Sequence, residues 1–597
     1  MTPTRKKAAP RLFAILLVAA VGFVSMAYAA PRASNAVTPT LPVDSLSAGM
    51  VGIGYSVFQG TSIDTFSVTI LGVLRGNRPG ADLILARARG PFLERTGIIA
   101  GMSGSPVYVR GKLIGAVAYT WAFAKDPVAG ITPIGEMLNS LRATREGSSD
   151  SPEGRFGSLG LQAADADILP GEARPIATPL ALAGFTPDAL KYLEPWLKER
   201  GFVSSPGGGA LPGGSCDSIV PGSAVGVQLV SGDMSATAIG TATYREGDRV
   251  LAFGHPFFAM GNVQLPLTAA TIHTVFASQQ ISTKVGSATR TCGTLVADRS
   301  VGVAGQIGPA PAMIPVNVSV RGAQGRERRF KFQIARSRNL TPGLAAGTVV
   351  SSISEALFDA GVATARYSLT YWLNGGKQVL RHGDAVVTPG PLAGVGDDVS
   401  QTLFLLMINR FEDTRLDSVS AEISIEEGID QAALTSIRVT PTIAAPGDSV
   451  MVELSLRPAR RPPETRRAVV RIPPGTPPGE ITVRVCGGSE TDRWEQERAP
   501  DMFVPHSFEQ LLRLLGRERR GDFMYVQLYR EARGATVRGM EISQAPPSVL
   551  EVLDATAKTG DTMPTKGATL VEVPVGLGRV GIGCETKTIT VVPYRAK

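Results

Sequence analysis

Histidine and cysteine are scarce in this chain, with four of each among 597 residues. The histidines, His255, His273, His382 and His506, stand apart from one another, and Cys216, Cys292, Cys486 and Cys584 contain no CxxC pair. That spacing excludes a zinc site of the finger or ribbon type and leaves few candidates for a general base. No Lys/Arg run with interleaved aromatics occurs, which argues against nucleic-acid binding. After the first thirty residues no apolar run reaches spanning length, so no membrane span is expected in the mature chain. A fixed-period repeat of the solenoid or propeller kind is also missing.

What is present begins with the N-terminus. Met1 to Ala29 has a basic start (Arg5, Lys6, Lys7, Arg11), an apolar run from Leu12 to Met26 and the small-residue end Ala27-Tyr28-Ala29. This is the pattern of a secretory signal peptide cleaved near Ala29, which predicts an exported protein, periplasmic or extracellular; a retained membrane anchor is the alternative, against which the apolar run is short for a span and closed by small residues. Its removal takes away four basic and no acidic residues, lowering the formal net charge from +8 to +4. In an oxidising compartment the four cysteines can form two disulfides, with all three pairings open.

Length alone calls for several cores. A Pro/Thr/Ser-rich linker over 30–46 precedes short strands with Gly-rich turns over 47–145, the pattern of a small barrel or sandwich. Residues 146–215 read as a polar linker followed by a helix from Phe185 to Arg200, with Thr186 as N-cap and Pro187 in the first turn. A second β-rich block spans 216–335, and an α/β extension follows over 336–430. Residues 431–493 alternate apolar and polar around Pro/Gly turns, the pattern of an immunoglobulin-like sandwich, and 494–597 form a C-terminal α+β region.

The stretch with most chemical content is Thr96 to Val117, TGIIAGMSGSPVYVRGKLIGAV. Ser103 lies at the apex of Gly101-Met102-Ser103-Gly104-Ser105-Pro106, a turn where backbone can approach a substrate and where the N–H groups of Gly101 and Ser103 can converge on an oxyanion. A plain Gly-rich turn between strands is the bland alternative. Among the histidines, His255 sits at a comparable Gly/Pro break, in Leu251-Ala252-Phe253-Gly254-His255-Pro256, at the end of an apolar strand, where it can serve as general base.

Thr96 to Met137 resembles the peptidase domain of the stage IV sporulation protein B (SpoIVB) family, whose nucleophile lies in a GMSGSP turn followed by GK-(L/I)-IGAV and a D-P-x-x-G segment. Gly254-His255 resembles that family's Leu-Gly-His motif, which carries its base. The resemblance extends over roughly Met50 to Ile334. It implies a mainly β fold with a chymotrypsin-like pair of β-barrels, a serine endopeptidase with Ser103 as nucleophile, Ser105 as a packing residue and His255 as base, a protein or peptide substrate, and no cofactor or metal. This sequence departs from the family in placing the Ser segment before the His segment and in lacking a PDZ-like module ahead of them. It also has Arg89 where the family carries an acid. Asp82, at the head of an apolar strand, is the first candidate for the third member and Asp248 the second, with Asp126 and Asp298 also available. Trp121 and Phe123 are candidates for either a substrate pocket or core packing. The alternative reading is a catalytically inactive, peptidase-derived binding or scaffold protein, with the C-terminal sandwich as the module that meets a cell-envelope partner.

Overall fold

A computed structural model of the chain describes residues 38–593 apart from 79–80, 122–123, 144–172, 210, 323–324, 357–361, 389–390, 517–518, 543–545 and 557–561. The segment read as a signal peptide, Phe123 and most of the polar linker therefore lie outside the described residues.

The first block is a closed six-stranded barrel. Its strands run in the order Pro106–Val109, Val51–Val57, Ile63–Arg78, Ala81–Arg89, Val128–Pro133 and Lys112–Trp121, and the last pairs back to the first. That closing pair is a tight hairpin at Arg110-Gly111, both with positive φ (52° and 73°), the geometry that matches the twist of the flanking strands. Alternating apolar residues, including Val68, Ile70, Ile84, Ala86, Val107 and Ile131, fill its interior.

A second ring closes in the same way. Ala224–Gly232 pairs with Gly261–Phe276, and the ring continues through Thr283–Arg299, Gly302–Ile307, Arg249–Ala252 and Ser235–Glu246, which returns to Ala224–Gly232. The chain thus contains the expected pair of β-barrels within a mainly β fold. Beyond the ring the same sheet runs out on both sides. The segment read as a linker with a helix supplies two further strands, Thr178–Ala183 and, at the edge, Phe202–Pro206, as well as helix Pro187–Glu199. Thr186 caps that helix by accepting the Ala189 N–H, with Pro187 in its first turn.

On the other side the sheet extends through Glu327–Ile334, Ile314–Arg321, Leu416–Glu427, Ala363–Leu373 and Gln378–Thr388. Helices Thr341–Ala356 and Pro391–Ile408 cover this extension, and Pro187–Glu199 packs against the first of them. Glycine makes the close approach possible: a Cβ on Gly347 would lie 2.6 Å from Leu193 Cδ1.

The C-terminal part has two sheets, one of four strands and one of six, with a common core that includes Val452, Leu454, Val483, Val526 and Ile589. Strands on both sides of residue 493 contribute to that core, so the division expected there runs through one two-sheet unit. The reason is pairing at long range: Gly479–Gly487 lies between Phe523–Val537 and Cys584–Val591. The structure also selects among the three disulfide pairings. Cys216 is bonded to Cys292, with Cα atoms 5.2 Å apart, and Cys486 to Cys584, directly opposite each other on adjacent strands. Among the described residues no helix is long and apolar enough to cross a membrane.

Candidate active site

The Gly101–Ser105 turn lies between helix Leu93–Thr96 and strand Pro106–Val109 of the first barrel, and its shape depends on Gly101 (φ +95°) and Gly104 (φ +94°). Gly104 is required on a second count. A Cβ there would come within 2.0 Å of the Thr241 carbonyl oxygen and 2.5 Å of the Phe253 nitrogen, both in the second barrel block.

Each main-chain carbonyl from Ala100 to Gly104 is engaged. Ala100 O accepts the Lys284 N–H at 3.0 Å and Ser103 O the Thr241 N–H at 2.9 Å. Gly101 O accepts from Thr241 Oγ1 at 3.0 Å, and Gly104 O from Thr243 Oγ1 at 2.8 Å. Within the turn Met102 O accepts the Ser105 N–H. The amides of Ala100, Met102 and Gly104 donate to Ser282 O, Ile99 O and Val117 O. Because buried peptide groups pair almost without exception, the remainder is informative: among the described residues the N–H groups of Gly101 and Ser103 make no backbone bond.

Ser103 is fully buried, and its Oγ makes no hydrogen bond among the described residues, to the His255 ring included. Ser105, also buried, donates to Ser56 Oγ at 2.9 Å, inside the barrel.

His255 is brought to the same inter-barrel seam. The Gly254 carbonyl accepts from Thr132 Oγ1 of the first barrel at 2.6 Å, and a Cβ on Gly254 would lie 3.0 Å from Ala116 Cβ. The backbone here is strained, since Phe253, a bulky residue, has φ +66°. His255 Nδ1 is 2.8 Å from the Pro256 carbonyl oxygen, which can only accept. Nδ1 therefore carries the proton and Nε2 is the basic nitrogen of the neutral ring.

The carboxylates fall elsewhere. Asp82 is bound to Arg75 at 2.8 Å and to the Gly76 N–H at 3.0 Å, in the Ile63–Arg78/Ala81–Arg89 hairpin. The Gly76 N–H, and then the Arg75 guanidinium, hold its carboxyl below the usual range. Asp248 is exposed in the turn before Arg249–Ala252, at the opposite end of that strand from His255. Asp126 pairs with Arg87 at 3.0 Å. Asp298 is buried and accepts the N–H groups of Phe257 (2.7 Å), Phe258 (2.7 Å) and Met260 (3.2 Å), anchoring the loop that follows His255. Burial pushes its carboxyl up, and the backbone N–H groups pull it back.

A cleft lined by Thr96, Gly97, Ala100, Trp121, Ile281 and Ser282 adjoins the turn. Of the other histidines, His273 contacts Ser287, His382 contacts Thr402, and His506 contacts Asp501. Among the described residues no group of three or more His, Cys, Asp or Glu side chains is placed to hold a metal.

With this geometry in place, the comparison with known families bears on the first barrel. Residues 30–138 match the family model SpoIVB peptidase S55. The match supports a SpoIVB-type serine peptidase in general, and with it a protein substrate. It takes in the GMSGSP turn and the first barrel, while His255 and the second barrel lie beyond it. No curated protein and no solved structure matches the chain.

Lys284 was not singled out from the sequence. Its side chain is fully buried, and its Nζ lies 2.9 Å from Ser56 Oγ and 3.4 Å from Thr241 Oγ1. In ISTKVGSATR it stands in a mostly polar stretch, as a solvated strand lysine would, so no local signal marks it.

Proposed function

We propose that the protein is an exported serine endopeptidase of SpoIVB type in which Ser103 attacks the scissile carbonyl and His255 is the general base. The observation that carries this reading is the hydrogen-bond inventory of the turn. With the carbonyls of residues 100–104 all engaged, the unpaired N–H groups of Gly101 and Ser103 supply two donors, two residues apart, beside the Ser103 hydroxyl.

In the reaction, Ser103 Oγ adds to the carbonyl carbon as its proton passes to His255 Nε2. The two N–H groups hold the negative oxygen of the tetrahedral intermediate. Collapse breaks the C–N bond, and His255 returns the proton to the departing amine. Water, deprotonated by the same nitrogen, then hydrolyses the acyl-Ser103 ester. The Pro256 carbonyl fills the place of the triad acid by fixing the tautomer. Ser103 is 0% and His255 2% exposed, so the described arrangement is a closed one and the seam must part for a peptide to enter.

That closure, together with the unbonded Ser103 Oγ, favours a second reading, a peptidase-derived envelope scaffold that no longer turns over. Labelling of purified mature protein with a fluorophosphonate probe separates the two. An adduct on Ser103, lost in Ser103→Ala, supports the peptidase; a folded, mature sample that forms no adduct supports the scaffold. An adduct on Ser105 instead overturns the assignment of the nucleophile.

A further inference from the structure

Lys284 is a buried amine with no charged partner. It lies on Thr283–Arg299 of the second barrel, with its side chain beneath the nucleophile turn: a Cβ on Gly101 would come within 3.1 Å of Lys284 Cδ. The groups that meet it are Ser56 from Val51–Val57, Thr241 from Ser235–Glu246 and the Phe58 ring, 5.8 Å from Nζ. None of these carries a charge, and no described charged group acts on the amine, which burial alone lowers to about 7. A fully buried lysine without a counter-charge is costly and calls for a reason.

Its bonds supply one. The Lys284 N–H holds Ala100 O, and its Nζ binds Thr241 Oγ1, the donor to Gly101 O, and Ser56 Oγ, the acceptor from Ser105. One residue thus holds one end of the turn directly, reaches the other through Ser56, and bonds both barrels. We propose that Lys284 is a positioning residue that clamps the Gly101–Ser105 turn in the conformation that presents the Gly101 and Ser103 N–H groups. The inference rests on the function proposed above for its catalytic meaning, while the clamp itself is independent of turnover.

Opening the turn exposes the amine to water, where it takes up a proton at ordinary lysine pH values. The closed form holds fewer protons than the open form between about pH 7, the folded value, and about pH 10, the free value. The opening constant therefore rises about tenfold for each unit by which pH falls through that window, and levels off below it.

Hydrogen exchange read by mass spectrometry at pH 7, 8 and 9 tests this on the full mature chain, using the amides of Met102, Gly104 and Ser105. After correction for intrinsic exchange, protection in the wild type should fall about tenfold per unit toward pH 7 and stay constant in Lys284→Met. Constant protection in the wild type overturns the proposal, and so does the same slope in the control amides of Ile63–Arg78, which would mean general loosening of the barrel. In a peptide-hydrolysis assay Lys284→Met should lower kcat at least tenfold and leave KM unchanged, as expected for donors that act in the transition state; a rise in KM alone would overturn the positioning role. Should Lys284→Met fail to fold, Ser56→Ala, which removes one partner of the amine, should lower turn protection at every pH, and unchanged protection would refute the clamp. A protein that forms no Ser103 adduct but shows the exchange slope would refute the peptidase reading and leave the clamp standing.

Discussion

Asp298 offers a quantitative test of how the His255 loop is held. Its two carboxylate oxygens receive three backbone N–H groups within five residues of His255, in a site where the carboxylate is 1% exposed. Asp298→Ala strands those donors. Each buried unsatisfied group costs about 1–3 kcal/mol, and water entering the vacated space recovers part of that, which leaves a net loss of about 3–5 kcal/mol. Asp298→Asn keeps the shape but turns an NH2 toward a donor, and should cost about 2–3 kcal/mol. Because the cost falls on a loop, the direct assay is hydrogen exchange of residues 253–260. The loss in Asp298→Ala corresponds to a fall in protection of about two to four decades, at about 1.4 kcal/mol for each factor of ten. On the proposed function, Ser103 labelling by a fluorophosphonate should fall in parallel, since Asp298 would place the base without touching the reacting atoms. A drop in protection below tenfold, with labelling unchanged, would refute this account of the loop.

Gly104→Ala forces a Cβ against the Thr241 carbonyl at a positive φ, so it should part the barrels at a cost of about 3–5 kcal/mol, seen as protease sensitivity at the seam. The Cys216–Cys292 bridge closes a 76-residue separation, worth about 4–5 kcal/mol in the chain-entropy account; reductant should lower the unfolding temperature, and detection of four free thiols in the unreduced, unfolded protein would contradict both bridges. Burial lowers the His382 pKa below the usual histidine value, so the folded form holds it neutral. The stability it contributes is lost as pH falls through the ordinary histidine range toward the lower folded value, and His382→Gln should flatten that acid limb of thermal unfolding.

What could be read from the chain follows from how local each cause is. The Gly101–Ser105 turn was legible as a turn because glycine and proline restrict φ in place, and Gly101 and Gly104 hold the positive values that the motif suggests. Helix Pro187–Glu199 was legible for the same reason, through its cap. Lys284 and Asp298 were not, because their burial is made by another barrel strand or by a loop some forty residues away, and each reads as a solvated residue in its own segment. Asp82 looked suitable as the head of an apolar strand, yet Arg75 lies across its hairpin and binds it. Strand pairing at long range likewise joined two C-terminal segments into one core and fixed the disulfide partners, which spacing leaves open.

The hydrogen bonds that shape the nucleophile turn also carry a sense of time. Thr241 and Thr243, which capture the Gly101 and Gly104 carbonyls, follow them by 140 and 139 residues, and Lys284 comes later still. A chain emerging from its N-terminus therefore completes the barrel bearing Ser103 while that barrel still lacks the donors that set the turn. The turn's full set of hydrogen bonds comes into existence only when the second barrel has folded against the first, so on the proposed function a partly made chain would carry the serine without its oxyanion site.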